Sequence, residues 1–187
     1  MNKLPKFKTV KSKALAGMNL FHISFKNKTF QGMWNPDNPA GFDESEESSP
    51  GVVGDSSFPY PEPSFARISC SPTIEQCFRA VYPNVADMFK KKKYPYMEYS
   101  VFAPVFNGRE DIILPEELTK QRMVWDACVT DEHCIMDTVQ MFYTGQIRVF
   151  NTNNSPIMHI HPFNDPKNPL ESVGPATIKW EWVHGPY

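Results

Sequence analysis

Six side chains in three short clusters could carry chemistry: His22 and Ser24 in NLFHISF (19–25), Arg67, Ser69 and Ser71 in FARISCS (65–71), and Glu132 in VTDEHCIMD (129–137). FARISCS runs directly into a helix start, with Ser71 as the expected N-cap and Pro72 at the first helical position. Such a strand–helix junction aims free backbone N–H groups and the positive end of a helix dipole at whatever lies beyond Ser69. A lone histidine on a strand is most often a satisfied core or surface group. Glu132 alone indicates nothing, so these residues gain a role only from one another.

Two other groups invite chemistry and fall short of it. His159 and His161 place two imidazoles on one strand face with Asp165 nearby. A metal site would need a third ligand from far along the chain, and the PFNDPKNP that follows is turn material, so a surface pair and no metal is expected. Cys70, Cys77, Cys128 and Cys134 form no CxxC pair. They are expected to be reduced, mostly buried thiols of a cytoplasmic protein.

The elements that must position the six groups follow from alternation. In 19–25, Phe21, Ile23 and Phe25 share one face, while Leu20, His22 and Ser24 share the other. In 65–71, Ile68 and Cys70 point one way and Arg67, Ser69 and Ser71 the other. Ile74, Cys77, Phe78 and Val81 give the following helix one buried face, and Pro83 ends it. YPYMEYSVFAPVF (94–106) reads as a strand near an edge at Pro104, and Pro115 opens a short helix, PEELTKQRM. Strand pieces are expected at VWDACVT, EHCIMD and GQIRVFN. In ATIKWEWV (176–183), Ile178, Trp180 and Trp182 alternate with Lys179 and Glu181. Strands exceed helices and no regular βαβ period appears, which is α+β.

The 187 residues are the length of one domain. Eighteen are proline, about twice the usual roughly 5 %, which excludes a helical bundle and predicts short elements joined by rigid turns. A net charge of −2 argues against a chain devoted to nucleic-acid phosphates. No apolar run reaches the length of a membrane span, and the basic N-terminus lacks the apolar stretch of a secretory leader. The balanced total hides a segregation: residues 1–31 hold seven lysines and no acid, and residues 32–66 hold seven acids and no Lys or Arg. The expected organisation is a basic arm over 1–18 and one domain over 19–187, with an acidic proline-rich loop at 36–64. That loop is expected to be solvated, with a lid or an acidic arm for a basic partner as the alternatives. Lys90–Lys93 reads as a solvated face after a short helix.

The order LFHIS, a loop with Gly32 and prolines, ARISCSPTIEQCFRAV, YMEYSVF and VTDEHCIMD resembles the ADP-ribosyltransferase-like fold over about residues 19–150. That family runs from a first strand with a His and a hydroxyl residue, through a strand of small hydroxyl residues opening a helix, to a late strand with an acidic residue. The resemblance implies a single α+β domain of mixed, largely antiparallel split β-sheets flanked by short helices. It also implies cleavage of the bond between nicotinamide and ribose in NAD, with ADP-ribose passed to a protein, nucleic acid, small molecule or water. Under it, His22 bonds the adenosine ribose with Ser24 in support, and Ser69 or Ser71 orders the nicotinamide ribose; Arg67, an addition and not a constant of the family, would bind the pyrophosphate bidentately. Glu132 holds the nicotinamide-ribose 2′-OH and stabilises the oxocarbenium-like centre, where positive charge develops. Tyr60 or Phe65 would offer nicotinamide an aromatic face.

The sequence departs from the family in three places. Ile23 stands where a glycine usually follows the first-strand histidine, and no tyrosine occupies the strand carrying Ser69. Thr130 stands where arginine-modifying members have Glu or Gln, which points away from arginine acceptors. The readings are therefore an NAD-consuming transferase or glycohydrolase, a non-catalytic nucleotide- or protein-binding protein on the same fold that blocks a cellular partner, and an interaction protein without a small-molecule site. A short cytoplasmic chain of this style suits a virus- or mobile-element-encoded effector, with no membrane partner.

Overall fold

Alternation in the sequence becomes pleat in two antiparallel sheets joined by one isolated backbone bridge, Phe21 to Ser71. The computed structural model describes residues 6–24, 31–36, 65–80, 94–121, 124, 127–150 and 179–184. In chain order the elements are β1 (Thr9–Lys11), a 3-10 turn (Ser12–Leu15), β2 (His22–Ser24), β3 (Gly32–Trp34), β4 (Ile68–Cys70), α1 (residues 74–80), β5 (Tyr96–Val105), β6 (Asp111–Ile113), α2 (Pro115–Lys120), α3 (Ala127–Thr130), β7 (His133–Ile135), β8 (Val139–Phe150) and β9 (Trp180–His184). The first sheet has the order β1-β6-β7-β4, and the second β2-β5-β8-β3 with β9 also on β8. Every strand pairing among the described residues is antiparallel. The chain forms an α+β domain of antiparallel sheets flanked by short helices.

β8 organises the second sheet. Its one edge pairs with β5 from residue 140 to residue 150, so β3 and β9 must share the other edge, at 139–141 and 146–149. A bulge makes this possible: Val101 lies opposite Gly145 and Phe102 opposite Tyr143, leaving Thr144 as the extra residue that bends the strand. β2 covers β5 only at residues 100–102, so Pro104 lies beyond its end, where a missing N–H breaks no ladder on that side.

Three apolar clusters hold the layers. Ile74 and Phe78 of α1 pack on Met97, Tyr99, Val101, Ile147 and Val149 of the second sheet, with Phe21, Ile23, Trp180 and Trp182 at the margin. Ile68, Cys70 and Ile135 of the first sheet meet Phe102, Val139 and Met141 of the second. Leu118, Val124 and Ala127 cover the other face of the first sheet at Ile113 and Cys134. Trp180 Nε1 donates to Glu75 Oε1 at 2.9 Å, tying β9 to α1.

Several expectations are corrected. Within VWDACVT the described residues 127–130 form not a strand but α3, with Ala127 buried in the cluster that holds Cys134, so packing overrides the strand preference of the β-branched residues. Ser71 is not the cap of α1. Its backbone is committed to a bridge with Phe21, so the turn extends through Pro72 and Thr73 becomes the cap, accepting from Gln76 N at 3.2 Å. Part of the basic segment read as an arm is β1, which pairs with β6 and sets Lys11 Nζ 2.9 Å from Asp111. Residues 37–64 of the acidic loop, Lys90–Lys93 and the His159, His161 and Asp165 group lie outside the described residues.

Glu110 fastens this N-terminal segment. Its buried carboxylate accepts from the Ser12 hydroxyl and from the backbone N–H of Asn107 and Arg109, and its own carbonyl accepts Ser12 N at 2.9 Å. Burial opposes the charge, but the Ser12 hydroxyl and those N–H groups outweigh it and hold the carboxyl below its usual range.

Two stability outcomes follow. Phe78→Ala, which deletes a fully buried ring edge-on to Tyr99 at 5.1 Å, costs about 3–5 kcal/mol in urea unfolding. Glu110→Gln costs about 1.5–3 kcal/mol at neutral pH, the worth of hydrogen bonds to a charged group. Because the folded pKa of Glu110 is depressed, its contribution is complete above the unfolded carboxylate pKa and fades as pH falls through the folded one. The gap between wild type and Glu110→Gln is therefore constant above about pH 5 and closes at lower pH.

Candidate functional site

The two sheets meet where β2 begins and β4 ends. Phe21 and Ser71 exchange both backbone hydrogen bonds there, at 2.8 and 2.9 Å. Beyond this pair the strands diverge, and the next carbonyl of β4 on that edge, Ser69 O, is taken by a side chain: His22 Nδ1 lies 2.9 Å away. A carbonyl only accepts, so Nδ1 carries the hydrogen and Nε2 of the neutral ring does not. Trp34 of β3 meets the imidazole edge-on at 5.4 Å and fixes its plane. His22 thus takes the carbonyl that a continued β2–β4 pairing would have given to a backbone amide.

Ser69 connects His22 to the acidic strand. Its hydroxyl accepts from Arg67 Nε at 3.3 Å, and the same Nε stands 3.8 Å from Glu132 Oε1. The Arg67 guanidinium lies over the Phe65 ring at 4.9 Å, with Nη1 3.5 Å from Phe65 O. The pair is deeply buried, with side-chain exposures of 4 % for Arg67 and 8 % for Glu132. Glu132 owes its place to the turn before it: α3 ends when Glu132 N bonds Ala127 O at 3.0 Å, which requires Asp131 in the left-handed region at φ 51°. The β4–β7 register, carried one step past Cys70 and His133, sets Glu132 opposite Ser71.

The carboxylate of Glu132 is under-supplied. Oε1 has Arg67 at ion-pair distance and the Cys134 thiol at 3.7 Å, and among the described residues no donor reaches Oε2. Nearby thiols register its charge. Burial raises Cys70 and Cys134 most, with Glu132 adding to both; burial likewise pushes Cys77 up to about 12, partly offset by hydrogen bonding with Ser71. These thiols are therefore inert, and all four cysteines are free.

His22, Ser69, Arg67 and Glu132 thus form one string of contacts. Ser24 lies opposite Ser100, farther along β2 from the bridge, and joins none of those contacts. Ser71 is buried with its backbone spent on the bridge. Phe65 is buried between Arg67 and Phe7, whose ring is 4.8 Å away, so both faces are engaged; Tyr60 lies outside the described residues. Sequence reasoning missed Cys134 and Trp34. Cys134 was within reach of it, being two residues past Glu132 on the same strand face. Trp34 comes from a distant strand, and no local signal marks it.

Comparison of the chain with protein-family models, with curated proteins and with solved structures gives no match. Among the described residues, no group of three or more His, Cys, Asp or Glu is placed to hold a metal ion, and no helix is long and apolar enough to cross a membrane.

The left-handed turn gives a prediction. Asp131→Gly is tolerated, whereas Asp131→Val, which sets a β-branched side chain at positive φ, lowers unfolding free energy by about 1–3 kcal/mol in urea titrations.

Proposed function

We propose that the chain is an NAD-consuming enzyme of the ADP-ribosyltransferase kind, with Glu132 as its catalytic carboxylate. The observation that supports this reading is the Glu132 side chain: 8 % exposed, opposite Ser71 beside the junction of the two sheets, with Arg67 and the Cys134 thiol on Oε1 and no donor among the described residues on Oε2. Oε2 is not sealed off, and so is open to a donor from outside the chain. A ribose hydroxyl is such a donor. When the bond from ribose to nicotinamide breaks, both electrons leave with nicotinamide and positive charge develops at the anomeric carbon. A fixed carboxylate beside that carbon stabilises the charge without reorganising. His22, held by Ser69 O and Trp34, is oriented in advance for a sugar hydroxyl, and an acceptor nucleophile or water completes the reaction.

A second reading, a nucleotide- or protein-binding protein on the same framework without turnover, is favoured by one observation. Arg67 faces inward and offsets the charge of Glu132.

Incubation with NAD, with and without cell lysate, separates the readings by the nicotinamide released. Glu132→Gln lowers release about 100-fold or more while the thermal shift on adding NAD persists. Release that needs lysate identifies a transferase, and release without it a glycohydrolase. A thermal shift with no release supports the binding reading, and full turnover by the Glu132→Gln protein overturns the assignment of the carboxylate.

A further inference from the structure

We propose that Arg67 is a positioning residue, which holds the Glu132 carboxylate in place, and is not a ligand of the substrate's phosphates; this rests on the reading of Glu132 as the catalytic carboxylate. The guanidinium is committed on three sides: Nε toward Ser69 Oγ and Glu132 Oε1, Nη1 toward Phe65 O, and its face over the Phe65 ring. Phe65 is itself backed by Phe7. A planar fork with fixed donors suits this arrangement, and a lysine could supply only the charge. A phosphate ligand needs donors directed outward, and the Arg67 side chain is 4 % exposed.

The pair itself is incomplete in a telling way. At 3.8 Å the Nε–Oε1 contact is electrostatic and not a direct hydrogen bond, with Ser69 Oγ taking the Nε hydrogen. Burying two charges is costly, and this one contact repays only part of that cost. It holds Oε1 on one side while Oε2 stays available. The other described groups packed around Glu132 are not cations. Cys134 lies on its own strand, Cys70 on β4, Cys77 on α1 and Asp131 in the preceding turn, while α3 presents Ala127 and Thr130. Among these described groups, Arg67 is the cation.

The test compares Arg67→Met and Arg67→Lys with wild type in NAD turnover, and melts Arg67→Met, Glu132→Gln and the double variant. Positioning predicts for Arg67→Met a kcat at least about tenfold lower and a KM for NAD within about threefold. Arg67→Lys, which keeps the charge without the planar fork, restores part of kcat. A KM raised tenfold or more with kcat unmoved overturns the proposal in favour of a phosphate ligand. The melting series needs no turnover. Each single variant leaves an uncompensated buried charge or a broken pair, so the double variant melts above Arg67→Met, and recovery of Arg67→Met only together with Glu132→Gln supports the same conclusion. Additive losses overturn the pairing. If wild type releases no nicotinamide, the NAD reading falls while the melting series still decides the pairing; normal release with additive melting removes the pairing alone.

Discussion

Two backbone hydrogen bonds between Phe21 and Ser71 set the geometry on which this protein depends. They join the last residue of one strand system to the first of another for a single bridge, after which the strands part. Had the pairing continued, β2 and β4 would have formed one uninterrupted sheet, and Ser69 O would have met a backbone amide. Because it stops, the imidazole of His22 takes that carbonyl.

The clusters around that junction explain why it stays put. The sheets are held together by Ile68, Cys70 and Ile135 against Phe102, Val139 and Met141, so the separation of the strands is fixed by apolar packing on one side. α1 braces the second sheet, and α2 with α3 brace the first. Dense packing allows little adjustment, so the position of the site is over-determined by contacts that have no part in its chemistry. The local cost falls on Arg67 and Glu132, two charges removed from water.

Much of the framework was legible. The alternations in 19–25, 65–71 and 176–183 assign each described residue to the face it occupies, with Phe21 and Ile23 toward α1, Ile68 and Cys70 toward the second sheet, and Trp180 and Trp182 inward of Lys179 and Glu181. Pro115 does open α2, and Pro104 does lie past the neighbouring strand. The α+β class with antiparallel sheets and short helices was legible too. VWDACVT misled because β-branched residues in a short window favour a strand on average, and only the surface waiting above Cys134 selects a helical turn. Ser71 misled for a related reason: cap chemistry is local, but a residue whose backbone is already paired across the chain cannot also terminate a helix.

What chain order and residue type settled was periodic: which side chains share a face, where α1 and α2 begin within a residue or two, and which clusters carry hydroxyl, imidazole or carboxylate groups. Those properties depend on neighbours a few positions apart, and so are written in the local pattern. Which clusters meet was decided by the tertiary structure. Residues 22, 34, 67 and 132 come together through strand pairings that span much of the chain, and no short-range rule encodes a sheet that parts after one bridge. The direction of Arg67 was decided there as well. Alternation puts it on the polar face of β4, but whether that face meets solvent or a buried carboxylate depends on what the register of β7 places opposite.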